Sequence, residues 1–349
     1  MLNLYDYEFN KLVTELTARG QSKYRATQLY KWIYKRNVTD FDQMSDISKA
    51  FRDELNRDFI LAKPSIYREQ HSEDGTMKLL LQLSDGALVE TVLMRYSYGN
   101  VVCVTSQVGC NMGCSFCASG LLKKQRNLTP GEMLGQVLVV NDLLRLEGHG
   151  ARTTHIVVMG TGEPFDNYQN VLDFVRIANH PHALEIGARH ITISTCGLSH
   201  KIKEFAHEGL QVNLAISLHA ANDELRSQIM KINKAHPLDL LMDAVKYYEL
   251  ETNRRVTFEY ILLAGVNDST AQADELSDLI RGTNAYVNLI PFNPVSELPY
   301  NRSSDQNVKA FLNQLIKRGI TATVRKEFGT DIDAACGQLR AKEEKRAKS

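Results

Sequence analysis

An α/β fold, a partial or full (βα) barrel with an N-terminal helical module and a hairpin extension, is predicted by three observations. From about residue 100 the chain repeats a short β-branched run followed by a stretch long enough for a helix. Those runs are continuously apolar, as strands covered on both faces are. Polar motifs follow the runs directly, on the loops where barrels of this kind carry their chemistry.

The elements follow in order. Segments 8–19 and 24–35 have helical spacing, and QMSDISKAFRDELNRDF (43–59) reads as a third helix opened by Ser45 or Asp46. MKLLLQLSDGALVETVLMRY (77–96) reads as a hairpin turning at Asp85-Gly86. Strands are expected at VVCVT (101–105), THIVVMG (154–160), RHITIST (189–195), QVNLAISLH (211–219), RVTFEYIL (255–262), AYVNLIP (285–291) and TATVRK (321–326). The clearest helix start is at 128–144, where Thr129 can cap, Pro130 suits the first position and Glu132 completes a capping box. No GxGxxG follows the first barrel strand, which argues against a dinucleotide fold. The expected divisions are a helical accessory module (1–75), a hairpin extension (76–100), the barrel (101–335) and a C-terminal loop with a basic tail (336–349).

Composition bounds the function. The 349 residues are 43% hydrophobic and 23% charged, with a formal net charge of zero, so no global basic excess advertises nucleic acid. Local bases remain as phosphate-contact candidates: Lys31–Arg36, Lys123, Lys124 and Arg126, with further bases in the tail from Arg340. There is no apolar run of 18 residues and no leader pattern, so a cytoplasmic, membrane-free protein is expected. Six cysteines in such a chain point to metal binding or catalysis before disulfides.

Half of those cysteines, Cys110, Cys114 and Cys117, crowd into SQVGCNMGCSFCASG (106–120). The spacing admits zinc, completed by a distant His or by Cys103, or an iron–sulfur cluster. Zinc sites usually pair two CxxC or HxxxH units and no second unit exists, so the cluster is favoured. Three thiolates would leave one iron open to another ligand.

CxxxCxxC after the first barrel strand, with Phe116 before the last cysteine, resembles the signature of the radical S-adenosylmethionine superfamily. The likeness extends along nearly the whole chain through VETV (89–92), CVTSQVGC (103–110), MGTGEP (159–164), ISTCG (193–197), ISLHA (216–220), LIPFNP (289–294) and FGTDIDAACGQL (328–339). These motifs are similar to those of the RlmN/Cfr rRNA adenine methyltransferases, and Pro164 after the GE pair sides with the RlmN branch. The resemblance implies a radical-SAM barrel and a 4Fe-4S cluster on Cys110, Cys114 and Cys117. It implies two S-adenosylmethionine molecules per turnover, and methylation of C2 of adenosine 2503 in 23S rRNA and of adenosine 37 in tRNA. A one-electron reductant such as flavodoxin or ferredoxin is a further implied partner, and a monomer is expected.

Adenine C2 is electron-poor and cannot attack a methyl sulfonium, whereas a nucleophilic carbon radical can add there. The resemblance accordingly implies that Cys336 carries the methyl group as S-methylcysteine and that Glu90 accepts the C2 proton. Cys103 is then the resolving thiol, in a transient disulfide with Cys336. Carried over residue by residue, Gly162 and Glu163 meet the cofactor's amino group, and Ser194 its ribose or carboxylate. Ser217, Leu218 and His219 line it, and Asn293 lies on its adenine side. Cys196 reads as a bystander. Two alternatives remain: Cfr-like methylation at C8, and a zinc-stabilised RNA-binding protein without catalysis.

Overall fold

Ten strands form one sheet in the computed structural model, which describes residues 1–148, 151–332, 338–340 and 343. Ahead of it, β1 (Leu2–Asn3), α1 (Phe9–Ala18), α2 (Tyr24–Tyr30), α3 (Lys49–Asp58) and β2 (Phe59–Ile60) make a small module, its ends tied by the parallel β1–β2 pair. α2 runs on as a π-helical turn over Lys31–Lys35. α3 starts later than expected. Its cap is Ser48, whose hydroxyl accepts the Phe51 N–H at 3.4 Å. Asp46 is instead taken by the Trp32 indole N–H at 2.5 Å, and Phe41–Gln43 is a separate 3-10 turn.

The sheet begins with antiparallel β3 (Ser65–His71), β4 (Met77–Gln82), β5 (Leu88–Tyr96) and β6 (Gly99–Cys103). The β4–β5 hairpin turns where Asp85-Gly86 predicted, with Gly86 at φ +85°. β3 is a finding: its residues are mostly exposed on an edge, so SIYREQH lacks the apolar signal that marks the other strands. A short pair, β7 (Gln107–Val108) and β8 (Arg126–Asn127), precedes α4 (Pro130–Glu147). The βα repeat then runs β9 (Thr153–Val158), α5 (Tyr168–Asn179), β10 (Ile191–Thr195), α6 (Ser199–Phe205), β11 (Asn213–Ser217), α7 (Asp223–Ile229) and α8 (Leu238–Thr252). It closes with β12 (Val256–Leu262), α9 (Thr270–Leu279), β13 (Tyr286–Pro291), α10 (Asp305–Lys317) and β14 (Ala322–Val324). The order β14-β13-β12-β11-β10-β9-β6-β5-β4-β3 is parallel from β14 to β6, and every strand expected from residue 100 onward is present.

β3 and β14 are the two edges and do not pair, so the barrel is partial. The chain after β14 bridges the gap. The Gly329 N–H donates to Asp74 at 2.9 Å, and Asp331 accepts the Glu73 N–H at 3.1 Å and the Ser72 hydroxyl. α4 carries the predicted capping box and is buried on nearly all sides. Its continuous apolar character has a cause: the sheet covers one face and the N-terminal module another. The Gly131 N–H donates to Asp6 at 2.9 Å, and a Cβ on Gly135 would strike the Pro64 ring at 2.4 Å. One hydrophobic cluster accordingly runs from Tyr5, Trp32 and Phe51 through Val137 and Phe174 into the barrel wall.

Candidate active site

The β7–β8 pair pinches off the segment that carries the three cysteines, and neighbouring elements hold it in place. The Cys110 N–H donates to the Leu122 carbonyl at 2.9 Å. The Ser115 N–H donates to Ile229, at the end of α7, at 2.9 Å, while the Ser115 and Tyr300 hydroxyls meet at 2.7 Å. All three cysteines line one cavity of about 240 Å³. Burial first, and then the neighbouring thiols, push the Cys110 thiol up to about 11 and Cys114 further still. Such desolvated thiols ionise readily only beside a cationic centre, so the donor set suits a metal group. Among the described residues no three His, Cys, Asp or Glu side chains are grouped to hold a single metal ion. Three thiols spread around a roomy cavity fit a polynuclear cluster better than one zinc.

The same cavity collects the loops at the strand ends: Gly162 and Glu163 after β9, Ser194 on β10, Ser217 and His219 at β11, and Glu259 on β12. Gly162 has φ +112°, and a Cβ there would lie 2.7 Å from Gln107 and 2.8 Å from Ser106, so only glycine fits. The Glu163 N–H donates to Gln107 at 2.9 Å. Its carboxylate accepts the Phe165 N–H at 2.9 Å and the Cys196 N–H at 2.7 Å, tying the β9 loop to the β10 loop. Burial raises the Glu163 carboxyl above its usual range, and those N–H groups oppose the rise.

His219 sits at φ +62°, nearly fully buried, with its ring edge-on to Phe116 at 4.8 Å. Burial, then the Arg226 charge, lowers it to about 3, so the ring is neutral at physiological pH. Nδ1 accepts the Ile261 N–H at 3.0 Å, which leaves the ring proton on Nε2. Two expected contacts do not line this cavity: the Leu218 side chain is fully buried in the core, and Asn293 faces a neighbouring cavity.

A second cavity of about 280 Å³ shares Phe116 and Cys117 with the first and is lined further by Lys78, Val92, Cys103 and Asn293. Cys103 and Val92 are register partners on β6 and β5, and Glu90 lies two residues along β5 on the same face. The buried Glu90 carboxylate pairs with the fully buried Lys78 ammonium at 3.0 Å and accepts the Arg340 N–H at 2.7 Å. Cys336 lies outside the described residues.

The sequence likeness now has a structural frame. Residues 104–276 match the model of the Radical SAM superfamily, and residues 2–61 match the ribosomal RNA large subunit methyltransferase N-terminal domain. A probable dual-specificity RNA methyltransferase RlmN from Streptococcus agalactiae is 54% identical over 347 residues, covering 99% of this chain and 94% of that relative. Its counterpart from Streptococcus equi subsp. zooepidemicus is 54% identical over 97% of this chain and 95% of its own. The chain belongs to the RlmN family of radical S-adenosylmethionine RNA methyltransferases. A crystal structure of a radical SAM methyltransferase from Sphaerobacter thermophilus superposes with a TM-score of 0.91 at 45% identity, covering 97% of this chain and 99% of that one. Membership implies a 4Fe-4S cluster and S-adenosylmethionine as cofactors, which the donor set and the cavity fit.

Within this RlmN-family site, Arg226 went unsuspected, because DELRSQI reads as an ordinary helix face. It is fully buried, and its guanidinium donates to the carbonyls of Cys196 (2.8 Å), Ser217 (3.3 Å) and Leu218 (3.0 Å) and to Asn233 (2.7 Å). It thereby pins the ends of β10 and β11 together. Cys196 lies between this arginine and Glu163 and lines the cofactor cavity without joining the cysteine loop. The basic candidates divide. Lys124 pairs with Asp166 at 2.6 Å, and Arg126 pairs with Asp85 and Glu132, each at 2.7 Å. Lys35 pairs with Glu185 at 2.7 Å, and the Arg36 guanidinium lies over Trp32 at 3.8 Å. Arg340, the first of the bases in the C-terminal tail, is buried. Lys31 and Lys123 remain exposed.

Proposed function

We propose that this enzyme methylates C2 of adenosine 2503 in 23S rRNA and of adenosine 37 in tRNA, through a methyl group carried on Cys336. The dual-specificity name of the relatives supports the two-substrate reading. The observation that supports the mechanism best is that Cys103 and Cys117 line the same cavity, so that a further cysteine side chain borders the chamber next to the cysteine loop.

Cys110, Cys114 and Cys117 would hold the cluster, with Gly162, Ser194, Ser217, His219 and Asn293 around S-adenosylmethionine. When bound, the pair supplies two things, a transferable methyl group and a hydrogen-abstracting 5′-deoxyadenosyl radical, from two S-adenosylmethionine molecules per turnover. The chain's own groups do the rest. The Cys336 thiolate would take the methyl on Sγ. Once that methyl has given one hydrogen atom to the radical, its carbon would join adenine C2, linking protein and RNA. The C2 hydrogen would leave as a proton, and the one surplus electron would pass to the cluster that the three cysteines would hold. Glu90 accepts the C2 proton, its carboxylate held in place by Lys78. Cys103 attacks Cys336 Sγ, the sulfur–carbon bond breaks, and the electron pair returns to the base as it is protonated. The resulting Cys103–Cys336 disulfide needs two electrons from a cellular thiol before the next turnover. The described flanks of Cys336 support the reading: Ile332 lines the Cys103 cavity and the Arg340 N–H bonds Glu90. A low-potential reductant of the flavodoxin or ferredoxin class would feed the cluster, and the exposed Lys123 and Lys31 are the remaining phosphate contacts.

Two readouts test this. Digested 23S rRNA from cells relying on this enzyme should yield 2-methyladenosine at the target, and recovery of 8-methyladenosine alone overturns the C2 assignment. Cys103→Ala should accumulate a protein–RNA crosslink on denaturing gels while Cys336→Ala gives none. Equal activity in both variants sinks the thiol scheme.

A further inference from the structure

Glu259 is a buried carboxylate that none of the roles above uses. It sits mid-strand on β12 at 5% exposure, where barrel interiors are usually filled by Val, Ile or Leu. Its register partners are Ser217 on β11 and Asn288 on β13, so three adjacent strands place polar side chains side by side on the inner face. The Asn288 amide donates to Glu259 Oε2 at 2.9 Å and holds the carboxylate in one orientation. Oε1 has no hydrogen-bond partner among the described residues, yet it is not sealed in the core, and Glu259 lines the cofactor cavity beside Ser217. Burial raises its carboxyl above the ordinary range, and the Arg325 charge from the same cavity opposes that rise. An oxygen that faces the cavity with its acceptor positions open is placed to take a donor from a group bound there.

We propose that Glu259 accepts hydrogen bonds from the ribose hydroxyls of S-adenosylmethionine. The inference rests on the cofactor placement proposed above, with the amino group at Gly162 after β9 and the adenine toward Asn293 after β13. β11 and β12 lie between those strands in the sheet, so the middle of the cofactor passes over Ser217 and Glu259. A vicinal diol offers two O–H donors, which suit a fixed carboxylate flanked by a serine hydroxyl.

The test compares binding of S-adenosylmethionine with binding of its 2′,3′-dideoxyribosyl analogue to the anaerobically reconstituted full chain, by equilibrium dialysis. Glu259→Gln should weaken S-adenosylmethionine about 10- to 100-fold, the range for a hydrogen bond to a charged group, and leave affinity for the analogue unchanged. An equal fall for both ligands, as a contact to the sulfonium or a loosened fold would give, overturns the proposal. So does no fall at all. Should Glu259→Gln not fold, Asn288→Ala keeps the carboxylate but frees it, and a loss confined to the hydroxylated ligand is again expected. Wild-type chain that fails to bind S-adenosylmethionine would overturn the cofactor placement itself, a result distinct from binding without discrimination.

Discussion

His219 illustrates what one side chain can be made to do at this site. A non-glycine residue at φ +62° is held there by its ring, which accepts the Ile261 N–H, and by its carbonyl, which accepts the Asn267 amide at 2.8 Å. Because burial lowers the ring from 6.5 to about 3, its contribution to stability is complete above pH 6.5 and is lost as pH falls toward 3. At pH 5 the share lost is about 2 kcal/mol, from one and a half units at about 1.36 kcal/mol each. His219→Asn tolerates the left-handed backbone and cannot protonate. Denaturant titrations at pH 7 and pH 5 should therefore show a smaller acid loss in the variant than in the wild type. Identical losses would mean that the folded ring takes up a proton as readily as the unfolded one.

The hairpin wall is the element that brings the proposed base to the thiols. β4 and β5 present Lys78 and Glu90 on the inner face, where neither is solvated, so each needs the other. Lys78→Met strands a buried carboxylate and should destabilise the fold by about 3–5 kcal/mol, while Lys78→Met with Glu90→Gln should recover much of that. Urea midpoints at constant slope measure both. A loss below about 1 kcal/mol in the single variant would mean that water reaches the pair. The strand pattern around this pair was legible, since MKLLLQLSDGALVETVLMRY carries both runs and the turn. The pair itself was not. Lys78 sits among leucines in the sequence and acquires meaning only from the β4–β5 register, in which it faces Val92, two residues along the strand from Glu90 and on the same face.

At the scale of the whole molecule, the N-terminal module is not a loose appendage. Its aromatic residues belong to the same apolar cluster as α4 and α5, with Phe9 stacked on His180 at 4.4 Å and Lys11 paired with the nearly buried Asp173. Module and barrel should therefore unfold together. The single tryptophan, Trp32, lies in the module, whereas most helices and strands lie in the barrel. Thermal melts followed by Trp32 fluorescence and by far-ultraviolet circular dichroism should coincide, and a separate early fluorescence transition would refute the shared core.

The sequence by itself determined the order of elements, the capped start of α4, the cysteine loop and the motifs at each strand end. These depend on neighbours within a few residues, where turn chemistry, capping and apolar periodicity act directly. It also named the family, because spaced motifs survive in linear order. Tertiary structure alone decided that Lys124 and Arg126 are paired within the protein, that Arg340 is buried, that Leu218 turns into the core, that Arg226 ties the ends of β10 and β11 together, and that Glu259 lines the cavity of the cysteine loop. Those facts arise from pairings between residues far apart in the chain. A lone Arg or Glu in a helical or strand run carries no mark of the partner that burial will require it to find.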